Sequence, residues 1–90
     1  MPRGAGRRPV VVRLTLYSRP GCHLCDEMKA TVNRVAALVP LQVEEIDVST
    51  SDDLEREYGL EIPVLLVDGK KAAKYRVSAE ELRRILVGRQ

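Results

Sequence analysis

A β-branched apolar run, Val10-Val-Val-Arg-Leu-Thr-Leu-Tyr17, breaks at Ser-Arg-Pro-Gly and gives way to a helical stripe that stops at Pro40. Consecutive valines favour extended backbone, and a near-continuous apolar run is what a strand buried on both faces carries. From Cys22 to Val39, residues Leu24, Met28, Val32, Val35 and Leu38 recur every three or four positions, the spacing of one apolar helix face. Pro40 ends that helix, because the residue before a proline disfavours helical backbone. Leu41-Gln-Val-Glu-Glu-Ile-Asp-Val48 reads as a second strand, although its alternation slips around Glu44-Glu45-Ile46. Strand, helix and strand in so short a span demand a parallel pair with the helix as crossover.

The second half is patterned differently. Ser49-Thr-Ser-Asp-Asp supplies N-cap candidates and first-turn acids for a short helix over Asp52–Tyr58, with Gly59 as its C′ residue. Ile62-Pro-Val-Leu-Leu-Val67 reads as a third strand, its proline tolerated near the beginning. Asp68-Gly69 is a tight hairpin signal, and Lys70 to Tyr75 is the returning strand. Ser78 with Glu81 fits a capping box, and Leu82, Ile85 and Leu86 are the buried stripe of a last helix. An α/β fold follows, with a four-stranded mixed sheet and three flanking helices. Ninety residues make one domain, near the lower end of what folds on its own core. With no Trp, no Phe and three Tyr, that core is aliphatic. The domain is expected over residues 10–90, and residues 1–9 as a flexible N-terminal extension.

Net charge is +2, and Arg3, Arg7 and Arg8 account for more than the whole excess; the rest of the chain carries twelve positive and thirteen negative residues. A nucleic-acid binder clusters its basic charge on a folded face and interleaves aromatics, and neither pattern is present. No segment approaches the roughly eighteen apolar residues that span a bilayer, and the first eight residues lack the apolar centre of a secretory signal. A soluble cytoplasmic protein with no membrane or nucleic-acid partner is the expectation.

Cys22-His-Leu-Cys25 sits where the first strand hands over to the first helix. Two cysteines are too few for a secreted disulfide scaffold, and a bridge closing so small a loop adds little stability. A thiol attacks a disulfide only as thiolate, so its pKa must fall from about 8.5 towards neutrality. Free N–H groups at a helix start favour that anion. Two intervening residues place both sulfurs on one turn, within bonding reach. Pro20-Gly21 makes a tight turn that leaves the first sulfur exposed. Position assigns Cys22 as nucleophile and Cys25 as the resolving thiol. The other readings are half of a metal site or two core cysteines. No metal is expected, since Cys22, His23 and Cys25 make only three ligands where structural zinc takes four, and no further Cys or His exists. His23 either tunes Cys22 through its imidazolium or is simply an exposed first-turn side chain. Arg19 either supports the thiolate or a substrate carboxylate, or is a solvated loop charge.

The stretch Leu14-Thr-Leu-Tyr-Ser-Arg-Pro-Gly-Cys-His-Leu-Cys-Asp-Glu-Met28 resembles the strand, loop and active-site helix of glutaredoxins, within the thioredoxin superfamily. Gly59-Leu-Glu-Ile-Pro-Val-Leu-Leu-Val-Asp-Gly69 is similar to the segment that carries their cis-proline. The likeness covers roughly residues 10–88 and implies a thioredoxin-like βαβαββα order. It implies that Pro63 is cis and faces the dithiol, that the backbone of Ile62 pairs with substrate, and that Arg19 stands at a basic glutathione contact. Three places depart from the pattern. His-Leu replaces the usual pair between the cysteines. Leu16 occupies the position of thioredoxin's buried acid. Lys74-Tyr-Arg-Val-Ser78 stands where glutaredoxins carry Gly-Gly and an acid, although Ser78 is a potential donor at that helix start.

The leading expectation is a thiol–disulfide oxidoreductase that reduces protein or glutathione mixed disulfides. It would act as a monomer, need no cofactor, and have glutathione as a candidate reductant. The alternatives are an iron–sulfur cluster carrier, in which two chains each lend Cys22, and a peptide-binding module working through the Ile62-Pro63 groove.

Overall fold

Alternation along β1 (Val12–Ser18) gives the strand two unlike faces: Val12, Leu14, Leu16 and Ser18 are buried on one side, and Tyr17 packs on the other. The structure, a computed structural model, describes residues 11–88; the extension expected over residues 1–9, and Val10, lie outside the described residues. β1 is central in a four-stranded sheet of order β2-β1-β3-β4. It runs parallel to β2 (Leu41–Asp47), with Leu14 opposite Val43 and Ser18 opposite Asp47, and antiparallel to β3 (Val64–Val67), with Tyr17 opposite Val64. β3 returns as β4 (Lys70–Lys74) through Asp68 and Gly69. Both turn residues have positive φ, 50° and 86°, the backbone whose twist suits a two-residue hairpin.

Helix α1 spans His23–Ala36, so Cys22 is its N-cap and the helix stops three residues short of the expected Val39. Leu38 therefore leaves the apolar stripe and is 71% exposed, while Leu24 is only half-buried. The line that packs inward is Cys25, Met28, Val32 and Val35. Met28, Val32 and Val35 join Leu14, Leu16 and Leu65 of the sheet and Leu82 and Leu86 of α3 (Ala79–Gly88) in the main core. The α3 start is a capping box: Ser78 N–H donates to Glu81 Oε1 at 2.9 Å, and Glu81 N–H donates to Ser78 Oγ at 3.0 Å.

The opposite sheet face is covered by α2 (Asp52–Tyr58), where Tyr58 stacks on Tyr17 with ring centres 4.1 Å apart and joins Val48, Val64 and Leu66. Ser51 caps α2 by accepting from Leu54 N–H. A 3-10 turn at Val48–Thr50, absent from the sequence expectation, precedes it. Asp47 builds that turn by accepting from both the N–H and the hydroxyl of Ser49. Gly59 is right-handed, with φ −57°, rather than the left-handed C′ residue expected. Its missing side chain serves another purpose, because a Cβ there would collide with the Glu55 carboxylate.

The third strand begins at Val64 rather than Ile62, because Pro63 has no N–H to give to the ladder. The Ile62–Pro63 peptide just before it is cis. The register sets the position of everything that follows. The ends of the parallel strands β1 and β2, the start of β3 and the first turn of α1 all lie at one end of the sheet. Among the described residues no helix is long and apolar enough to cross a membrane.

Candidate dithiol site

The chain leaves β1 at Ser18 and turns at once. Cys22 N–H donates to the Arg19 carbonyl at 3.2 Å, closing a four-residue turn with Pro20 and Gly21 at its centre. Gly21 has φ 81°, a conformation that the third position of a type II turn requires and that glycine adopts without steric cost. The turn delivers Cys22 in extended backbone, φ −85° and ψ 112°, to the N-cap position of α1. There its sulfur accepts the Cys25 N–H at 3.1 Å, the bond an N-cap Ser or Asp would make with its side-chain oxygen.

Cys22 and Cys25 are joined as a disulfide, with Cα atoms 5.2 Å apart. Their environments differ as helix position dictates. Cys22 is partly exposed, while Cys25, one turn in, is 2% exposed and packs inward with the helix. His23 and Arg19, the two candidate cations, both face acids. His23 Nε2 lies 2.9 Å from Glu27 Oε2 one turn along α1, with 86% of its side chain exposed. Arg19 reaches across to pair with Glu55 of α2. Pro63 is fully buried, at the same end of the sheet as the dithiol, and its carbonyl accepts the Tyr75 N–H at 2.9 Å. Ile62, the residue before it, is half-buried.

A 280 Å³ pocket opens on the Cys25 side, lined by Ser18, Arg19, Gly21 and three acids, Asp26, Glu45 and Asp47. Sequence reasoning did not single out these acids. The available signal was the parallel pairing itself, which carries the carboxylates at the end of one strand beside the loop that leaves the other. Glu45 is the best held of the three. Lys29 Nζ lies 2.9 Å from Oε1, and the buried Ser18 hydroxyl donates to Oε2 at 2.9 Å. Lys29 first, then Ser18, hold its carboxyl below the ordinary value of 4.5. A carboxylate whose folded pKa is depressed stabilises the fold above its unfolded pKa, and that contribution disappears as pH falls through the folded value. Glu45→Gln should therefore melt below the parent near neutral pH, with the gap closing as pH drops from about 6 to about 3. Thermal scans across that range check it, and a gap independent of pH would mean that the charge is not responsible. Among the described residues no group of three His, Cys, Asp or Glu side chains is arranged to hold a metal ion.

Residues 13–87 match the family model Glutaredoxin-like domain (DUF836). A structural genomics target, protein XcR50 from X. campestris, is similar at 32% identity and a TM-score of 0.72, over 83% of this chain and 96% of that one. Protein Ne2328 from Nitrosomonas europaea is similar at 28% identity and a TM-score of 0.72, over 87% of this chain and 92% of that one. Desulfothioredoxin from Desulfovibrio vulgaris Hildenborough, in its reduced form, shares the fold at 21% identity and a TM-score of 0.66, over 88% of this chain and 82% of that one. The curated proteins contain no match. With its mixed sheet, its three helices and a Cys-x-x-Cys pair opening the first of them, the chain has a thioredoxin-like fold and belongs to the glutaredoxin-like domain family.

Proposed function

We propose that this chain is a thiol–disulfide oxidoreductase that reduces disulfides of other molecules through Cys22 and Cys25. The observation that carries the reading is the Cys25 N–H aimed at the Cys22 sulfur, at the free amide end of α1. A sulfur in that position is favoured as an anion by the open amides and by the helix dipole.

The cycle then runs in two exchanges. The Cys22 thiolate attacks one sulfur of the target disulfide. That bond breaks, the other target sulfur leaves as a thiolate and takes up a proton, and Cys22 is left in a mixed disulfide. Cys25 loses its proton and attacks the Cys22 sulfur, releasing the second target thiol and forming the Cys22–Cys25 bond. Two electrons have passed from the dithiol to the target, and an external thiol reductant restores the pair. Burial keeps Cys25 from outside disulfides, so the more exposed Cys22 makes the first attack.

A redox titration tests this. The protein is equilibrated with graded thiol/disulfide buffers and its free thiols are alkylated and counted by mass. One two-electron transition is expected, with a midpoint between about −270 and −120 mV. A pair that stays locked in either state across that span would remove the proposal.

A further inference from the structure

Among the described residues, most of the cations near this dithiol are already paired with acids of the same chain. Glutathione carries two carboxylates and one ammonium, so a surface that selects it must leave cations or free amides open. Arg19 is taken by Glu55, and Gly59 leaves the room for that pair. His23 faces Glu27, Lys29 faces Glu45, and Lys74 faces Glu61. The α3 start beside the dithiol helix is closed by its own side chain, since Ser78 N–H already donates to Glu81. That bond, with the Ser78 hydroxyl, keeps the Glu81 carboxyl below its ordinary value. Arg76 has no ion pair among the described residues, but it shares its groove with Glu27 and Glu81. On the Cys25 side, the pocket is lined by three acids, Asp26, Glu45 and Asp47, together with Arg19, which is held by Glu55.

Two exposed apolar side chains lie in the segments tied to the cis-proline. Leu60, in the loop before the cis-proline, is 94% exposed. Tyr75 is 43% exposed and sits in the left-handed region at φ 68°, a costly conformation for a bulky residue. It is tied there by its N–H to the Pro63 carbonyl at 2.9 Å and by its hydroxyl to the Leu60 carbonyl at 3.4 Å. Tyr75 also lines the groove against Met28 and Thr31 of α1, so the aromatic ring bridges the dithiol helix and the Leu60 loop.

We propose that the disulfide served by this site is carried on a protein segment, neutral to basic and with an apolar residue beside its cystine, and not on glutathione. The apolar neighbour meets Leu60 and Tyr75, and the basic flank meets the acidic pocket. This rests on the oxidoreductase reading.

The test compares three oxidised probes at equal concentration with the reduced protein: hydroxyethyl disulfide, glutathione disulfide, and a disulfide-linked dimer of a capped Lys-Leu-Cys-Lys peptide. Relative to hydroxyethyl disulfide, the peptide dimer should react about tenfold or more faster than glutathione disulfide, a discrimination available from two or three modest contacts. Leu60→Ser, which is too exposed to disturb the core, should cut the peptide-to-hydroxyethyl ratio by about threefold or more. Glu55→Gln, which releases Arg19, should raise the glutathione-to-hydroxyethyl ratio. Glutathione disulfide reacting as fast as the peptide dimer, or a peptide ratio unmoved by Leu60→Ser, would overturn the specificity alone. Failure of reduced protein to react with any of the three would overturn the oxidoreductase reading itself.

Discussion

Cys25→Ser is expected to abolish turnover, by about a thousandfold or more, while leaving the chain covalently attached to its target. The reasoning follows from the two environments. Cys22, partly exposed at the N-cap, keeps its amide contact in this variant, because the donor is a backbone N–H that the substitution leaves in place. The first exchange therefore proceeds. The second cannot, because a hydroxyl does not displace a thiolate from the mixed disulfide. Non-reducing electrophoresis and intact mass should show a one-to-one adduct that added dithiol releases. Cys22→Ser should lose turnover to the same extent and form no adduct, since the remaining thiol is 2% exposed. Equal trapping by both variants would mean that the roles are not divided by position.

The largest effect on stability is expected at Leu16. Its side chain is fully buried in the middle of the central strand, opposite Glu45 on one side and Leu65 on the other, in the main core. Leu16→Ala should cost about 3 kcal/mol, the sum of lost transfer energy and the cavity left behind. For a domain this small, that is a large share of a total of roughly 5 kcal/mol or a little more. Leu38→Ala is the matched control. The sequence places Leu16 in an apolar strand run and Leu38 on an apolar helix stripe, yet Leu38 stands in solvent and its truncation should change stability by no more than about 0.5 kcal/mol. Urea midpoints of the two variants decide it, and a similar loss at both positions would contradict the packing described.

That pair also shows where the sequence is legible and where it stops. Element order, the α2 boundaries and the Ser78–Glu81 capping box follow from local chemistry, so they read directly. The end of α1 does not. Pro40 forbids helix only at the residue before it, and the backbone unwinds three residues earlier than that limit. The irregular alternation of Leu41–Asp47 has a plain cause, since β2 is an edge strand with much of its length in water. The dithiol is legible because four consecutive residues make it. Its surroundings are not, because they are assembled over long separations. Arg19 and Glu55 are 36 residues apart, Ser18 and Glu45 are 27, and only the tertiary fold brings either pair together. Tyr75 could not have been read at all, since a left-handed tyrosine has no compositional signature.

The amide that reaches the Cys22 sulfur has a thermodynamic corollary. Folding and reduction are two sides of one closed cycle, so they share a single free-energy difference. Whatever the folded domain contributes to holding the open dithiol, relative to an unstructured chain with the same two cysteines, must reappear as added resistance of the reduced form to unfolding. Each 30 mV by which the native midpoint differs from that of the unfolded peptide corresponds to about 1.4 kcal/mol between the stabilities of the two forms. Denaturant curves of the oxidised and reduced protein therefore give its midpoint relative to that of the unfolded chain without an electrode or a partner.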